Sequence, residues 1–436
     1  MDNNPQSLCI LDAAARLREG TLQPVDLVDA CLRTVDRREP AIHAWVQLDR
    51  DGAMTAAEQL GRAAAAGHWR GVLHGIPIGV KDIIDVAGLP TRVGSPLRAG
   101  HIARRDADVV DRLRRHGAII LGKTVTTQFA CFDPAATVNP HAVDRTPGGS
   151  SSGSAAALAC DMCLAALGSQ TGGSIIRPAA YCGVCGLKPT LDAWSMQGVV
   201  PVSFHLDHIG PMGRNVSDLA CMWWSDRAVA DVRAFLEEDA SAGPPRLVVP
   251  ESFLSSQVSD DVKTVVDACV ARLARQGAEI RSEVFPGDLT EVLAMHRRIM
   301  AVEAAEYHRQ AFADNPDAFA PNVAGLIDEG LCVSSVDYAA ALKHRRNFTR
   351  TLSTRLEAGT VWLTPATTTT APPRASTGNP AFNSPWSYCG FPTLCFPCGM
   401  DSSHLPVGIQ LIGPPHSETA LLHAGLWCDR TLDVRS

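Results

Sequence analysis

A chain of 436 residues, 46% of them hydrophobic, can bury a substantial core and is long enough for one large α/β domain or two ordinary ones. Its net charge of -7 excludes the basic stripe that nucleic-acid binding needs, and Arg112, Arg114, Arg115 and His116 read as one solvated helix face. No stretch reaches the ~18 uninterrupted apolar residues of a membrane span, and Met1 to Ser7 is polar with no basic region leading into an apolar one, so a reducing, cytoplasmic setting is expected for the 14 cysteines.

In chain order, Leu8, Leu11 and Ala15, then Val25, Val28, Leu32 and Val35, repeat at helical spacing, with Pro24 suited to the first turn of the second helix. Trp45 to Leu48 reads as a short strand and Ala53 to Ala66 as a helix closed by Gly67. Gly75 to Val80 is an apolar run of strand type that ends on Lys81-Asp82. A lysine there either snorkels to a carboxylate such as Asp82 or Asp85, or is held for chemistry. Asp108 to His116 is an amphipathic helix stopped by Gly117, and Ala118 to Leu121 opens a strand.

Two motifs are decoys. Gly117 to Thr124 fits the phosphate-loop pattern G-x-x-x-x-G-K-[ST], but its four middle residues are themselves the strand, so nucleotide binding is rejected. Cys160-x-x-Cys163 and Cys182-x-x-Cys185 stand 18 residues apart, a zinc-like spacing. The first pair falls in an apolar helical run where cysteine serves as a small hydrophobe, so no metal is expected.

Beyond residue 220, Arg246 to Val249 reads as a strand, and Val262, Val266, Cys269 and Leu273 share a helix face before Gly277. Two long helices are expected near Leu293 to Gln310 and Val336 to Glu357, and strands at Val361 to Pro365, Phe391 to Phe396 and Val407 to Gly413. Ala240 to Pro245 is the one linker-like piece, and Ser376 to Trp386 a long polar loop of the kind that shapes binding sites.

The chemistry concentrates in Gly148-Gly149-Ser150-Ser151-Ser152-Gly153-Ser154 and Gly168-Ser169-Gln170-Thr171-Gly172-Gly173-Ser174-Ile175-Ile176-Arg177-Pro178. So many glycines cost backbone entropy and bury no side chain, so such loops serve to bring backbone amides close to something. Three readings compete. Gly149 to Gly153 fits the nucleophile elbow G-x-S-x-G with Ser151, yet a polar turn rather than a strand precedes it; Asp207 and His208 could complete its triad. Alternatively Ser174 is the nucleophile, with the amides of Gln170 to Gly173 converging as an oxyanion hole and Lys81, if burial disfavours its ammonium form, as base. The third reading is a tight turn that packs or binds an anion.

The run Gly148 to Ala156, the 24-residue step from Ser150 to Ser174, Gly172-Gly173-Ser174 with Pro178-Ala179-Ala180, and Gly79-Val80-Lys81-Asp82 resemble the amidase signature family, from about Leu8 to Leu422. The resemblance implies one α/β domain over 1–436: a mixed, twisted central sheet covered by helices on both faces, a signature core over about 71–213 and a substrate-shaping region over about 221–390. It implies a Ser-cisSer-Lys triad: Ser174 as acyl-forming nucleophile, Ser150 as bridging serine after a cis peptide bond, Lys81 as base, with Thr171, Gly172 and Gly173 in the oxyanion hole. Gln170 stands where many members carry aspartate, and Ile176 where many carry arginine, which here follows as Arg177. Gln170, Arg177 and Asp207 are expected to support the loop, with Arg177 either touching substrate or pairing with Asp207. Helices within 293–357 and the 376–386 loop are expected to line the pocket, with Phe382, Asn383 and Trp386 as contacts.

The expected activity is cofactor-free hydrolysis of a small carboxamide or ureido-type amide, with no nucleic-acid or membrane partner; a homodimer or a small partner protein is compatible with it. One alternative is a component like the glutaminase of the tRNA-dependent amidotransferase, which passes ammonia to a partner. The other is a catalytically silent binding protein.

Overall fold

The computed structural model describes every residue except 1–3, 242, 252, 254–256, 357–358 and 435–436. Among the described residues, 11 strands form one mixed sheet. The strands are β1 (Trp45–Leu48), β2 (Pro77–Lys81), β3 (Ile119–Thr124), β4 (Ala165–Gln170), β5 (Cys185–Lys188), β6 (His208–Gly213), β7 (Arg246–Pro250), β8 (Glu279–Glu283), β9 (Thr360–Pro365), β10 (Thr393–Met400) and β11 (Pro406–Ile412). Their order is β1-β3-β2-β4-β6-β5-β10-β11-β9-β7-β8. β3, β2 and β4 are mutually parallel, β4 through β9 pair antiparallel across the centre, and β9, β7 and β8 are parallel again.

The central strands are buried along their whole length, which is why β2, β4 and β11 read as continuous apolar or small-residue runs rather than alternating ones. Helices pack along this sheet. Ser152–Ala159 lies on β2, β3, β4 and β6, and Ile176–Cys182 lies on β5, β10 and β11. Both are short, and each is entered from one of the two serine-glycine loops, so the sheet fixes the position of both loops at once.

Local readings fare unevenly. The Gly117–Thr124 decoy is strand β3, paired in parallel with β2. The helix expected to carry the Cys160/Cys163 pair ends at Ala159, with Cys160 as its C-cap and Asp161 left-handed (φ 55), so Cys163 lies between helix and strand. The two expected long helices are present as Leu289–Asp314 and Ser335–Ser353, and a third, Pro321–Cys332, lies between them. Pro321 sets the start of the middle one, a position where its missing N–H costs nothing. The 376–386 loop closes in a further helix, Ser384–Cys389, with Pro385 in its first turn and Gly390 left-handed at its end. The linker-like piece starts inside helix Val229–Ser241, which takes in Ala240 and Ser241; its residue 242 lies outside the described residues.

Candidate active site

Lys81 is the last residue of β2, paired with Thr124 of β3, just beyond the register that β2 shares with β4. It is fully buried, so it does not snorkel, and neither Asp82 nor Asp85 is its partner. Its Nζ lies 2.7 Å from Ser150 Oγ and 2.8 Å from Ser169 Oγ. Asp82 turns instead to Lys123 Nζ, at 2.9 Å. Burial without a carboxylate contact brings the Lys81 ammonium down to about 7, opposed by the charge of Asp207 and reinforced by Arg177.

The first loop is stitched to its surroundings by backbone and hydroxyl contacts. The Gly149–Ser150 peptide bond is cis, and Gly148 has φ +80 with the Pro178 Cα only 2.9 Å from where a Cβ would stand, so only glycine fits there. Arg177 Nη2 donates to the Gly149 carbonyl at 2.8 Å, and the Ser151 amide to the Ser174 carbonyl at 3.3 Å. Ser151 itself is fully buried, its Oγ bonded to both the N–H and the carbonyl of Ser169, which removes it as an elbow nucleophile. Asp207 and His208 form no triad with it. His208 Nδ1 donates to the Leu206 carbonyl, and Asp207 receives the Thr171 hydroxyl at 2.5 Å and the amides of Val202 and Ser203.

The second loop is held from behind, carbonyl by carbonyl. His296 Nε2 donates to the Thr171 carbonyl (2.9 Å), Ser387 Oγ to Gly172 (3.0 Å) and the Arg177 amide to Gly173 (2.9 Å). Gln170 Oε1 receives the amides of Ile175 and Ile176, while its Nε2 donates to Ser387 Oγ. A neutral amide thus serves the loop. Asn383 Oδ1 would lie 2.5 Å from a Cβ on Gly173, so the loop backbone sits directly on the Asn383 side chain. Among the described residues, none accepts a hydrogen bond from the amides of Thr171, Gly172, Gly173 or Ser174. These residues line a cavity of about 210 Å³ together with Ser150 and Arg177. Burial pushes His296 down to about 4, so it holds the Thr171 carbonyl as a neutral imidazole.

The expected substrate contacts need correction. Phe382 and Trp386 are fully buried in an aromatic cluster with Phe253, at centroid distances of 5.2 and 5.5 Å, and Asn383 donates to the Ala366 carbonyl behind the loop. The cavity is lined instead by their neighbours Thr377, Asn379, Pro380, Ala381 and Ser384, because the helical turn at Ser384 rotates the large side chains into the core. Arg177 does not pair with Asp207. Sequence reasoning also passed over Ser169, His296 and Ser387. Ser169 lay in the stretch already singled out but needed the β2–β4 pairing to be seen beside Lys81; the other two carry no local pattern.

The protein is of the α/β class, a mixed sheet carrying a buried lysine–serine cluster. Residues 26–422 match the family described as Amidase, and the chain belongs to that family. It is 32% identical to a glutamyl-tRNA(Gln) amidotransferase component of Roseiflexus sp. (strain RS-1), over 98% of this chain and 96% of that one. It is 34% identical to an "Amidase" of Pseudomonas putida, over 96% and 95% respectively. Among solved structures, the native peptide amidase of Stenotrophomonas maltophilia superposes with a TM-score of 0.84 at 27% identity, covering 99% of this chain and 98% of that one. A chain from a vestigial protein complex bearing on the evolutionary origins of an s-triazine catabolic enzyme superposes with a TM-score of 0.89 at 26% identity, covering 97% and 98%. Among the described residues no helix is long and apolar enough to cross a membrane.

Proposed function

We propose that the protein hydrolyses the C–N bond of a small amide through a seryl acyl-enzyme on Ser174. The observation that carries this reading is the 2.7 Å contact from Lys81 Nζ to Ser150 Oγ, at the wall of a cavity that Ser174 and the unpaired 171–174 amides also line. Neutral Lys81 takes the Ser150 hydroxyl proton as Ser150 takes that of Ser174, and the Ser174 oxygen adds to the substrate carbonyl. The developing oxyanion receives the loop amides, each such donor being worth about 2.7–4 kcal/mol at the transition state. The proton returns along the relay to the leaving nitrogen, and the C–N bond breaks, releasing ammonia or an amine. Water then adds to the acyl ester by the same relay and frees the carboxylic acid and Ser174.

No step calls for a cofactor or a metal. The test is covalent labelling by a fluorophosphonate together with ammonia release from a panel of simple amides. Ser174→Ala should fold, take no label and lose at least ~10³-fold in rate. Full activity in that variant would end the proposal.

The relatives named as amidotransferase components favour a second reading, in which ammonia passes to a partner protein. Ammonia release by the isolated chain from a simple amide argues for the first reading; release only when a partner is supplied argues for the second.

A further inference from the structure

We propose that Gln170 and Ser387 act as one positioning pair for the oxyanion hole: the Gln170 carboxamide sets the direction of the Ser387 hydroxyl, and that hydroxyl aims the Gly173 amide at the substrate carbonyl. The proposal rests on the amide-hydrolase reading and names what tunes that same site.

The donor and acceptor ends of Gln170 are decided by its neighbours. The backbone amides of Ile175 and Ile176 can only donate, and both meet one atom of the carboxamide, at 2.9 and 3.0 Å, so that atom is the oxygen. The other end is therefore the NH2 group, which donates to Ser387 Oγ at 3.1 Å. A serine hydroxyl carries a single hydrogen. With its oxygen already receiving Gln170, that hydrogen goes to the Gly172 carbonyl, 3.0 Å away. Both side chains are buried and neither lines the cavity, so they act on the loop from its far side.

What this does on the cavity side follows from peptide planarity. The Gly172–Gly173 bond is trans, so its carbonyl and its N–H point in opposite directions. Holding the Gly172 oxygen at Ser387 aims the Gly173 N–H away from Ser387, and among the described residues none accepts it. Gly172 and Gly173 both line the cavity with Ser174. A peptide between two glycines meets no Cβ that would resist its turning over. Turned over, it would present a carbonyl oxygen where negative charge develops in the transition state. The adjoining carbonyls are held separately, Thr171 by His296 and Gly173 by the Arg177 amide. The middle one depends on Ser387, and through it on Gln170.

The test uses the full chain and follows covalent labelling of Ser174 by a fluorophosphonate, whose phosphoryl oxygen takes the place of the oxyanion, alongside ammonia release from butyramide. Ser387→Ala removes the hydroxyl. Gln170→Glu keeps both backbone contacts through one carboxylate oxygen but makes the other end an acceptor, so the Ser387 hydrogen turns to it and leaves Gly172. In each variant the maximal labelling rate and kcat should fall roughly ten- to hundredfold, short of the loss of a whole oxyanion donor, while KM and the half-saturating label concentration change less than about threefold. Ser387→Thr, which keeps the hydroxyl, should restore part of the rate. The double variant should be no slower than the slower single one, because both break the same link. Losses that multiply in the double variant, or parent rates in either single one, overturn the proposal. Should Ser387→Ala fail to fold, Gln170→Glu carries the test by the same split, and a change confined to KM overturns it. A parent that takes no label at Ser174 ends the hydrolase reading and this proposal with it. Slower labelling in the variants with no amide turned over by the parent keeps the pair and discards the hydrolase.

Discussion

Lys81 and Lys123 are neighbours on adjacent parallel strands, both with fully buried side chains, and they differ in what meets the ammonium. Lys123 Nζ has a carboxylate, Asp82, at 2.9 Å, with the Pro90 carbonyl and Thr91 hydroxyl each at 3.1 Å. Lys81 has two hydroxyls and a distant carbonyl. Burial lowers both, but Asp82 opposes it for Lys123 by direct contact, whereas Lys81 reaches about 7. Burial alone does not separate the two lysines; the bonded anion does.

The largest expected effect that would break this contrast is on rate. Lys81→Met should lower kcat/KM by about 10²–10⁴-fold, the usual worth of a positioned base, with little change in the thermal midpoint. Lys123→Met should do the opposite, costing about 3–5 kcal/mol of stability in a denaturant titration because Asp82 is left buried and uncompensated. Removing both charges in Lys123→Met/Asp82→Asn should recover part of that loss. A rate collapse in Lys123→Met at unchanged stability would show that the two lysines are not separable in this way.

Next in size is the pH dependence. Lys81 works only when neutral, and its ammonium dominates below about 7, so kcat/KM should fall about tenfold per pH unit on the acid side and level off on the alkaline side. His296, held down to about 4, stays neutral throughout that limb. A rate flat from mildly acid to alkaline pH would remove Lys81 as the base. The smallest effect is expected for Ser169→Ala, which deletes one of the two hydroxyl contacts to Lys81 and should cost about 2–12-fold in kcat, the worth of one hydrogen bond. No change at all would leave Ser150 as the one hydroxyl that matters to Lys81.

How much of this was legible follows the range of the interactions. Lys81, Ser150 and Ser174 sit in motifs of small residues whose spacing survives in one dimension, and Gly148 and Gly173 are recognisable because close backbone approach excludes side chains. The second half of the site resisted reading. Phe382 and Trp386 look like pocket residues in a polar loop, yet the turn at Ser384 sends them to Phe253, more than a hundred residues away. The break between the helices at residues 315–320 and the left-handed Asp161 are local, but each is a choice between two acceptable conformations that packing decides.

The amino-acid order by itself determined the two glycine loops, the apolar strand ending in Lys81 and the absence of a basic face, because these depend on residue type and near-neighbour spacing. Only the tertiary structure decided that Ser169 and Ser150 share Lys81, that His296 and Ser387 grip the loop from behind, and that Arg177 forms no ion pair among the described residues. Those facts depend on which strands pair and on whether an anion reaches a buried cation, and strand pairing and ion pairing across a hundred or more residues leave no periodicity in the chain.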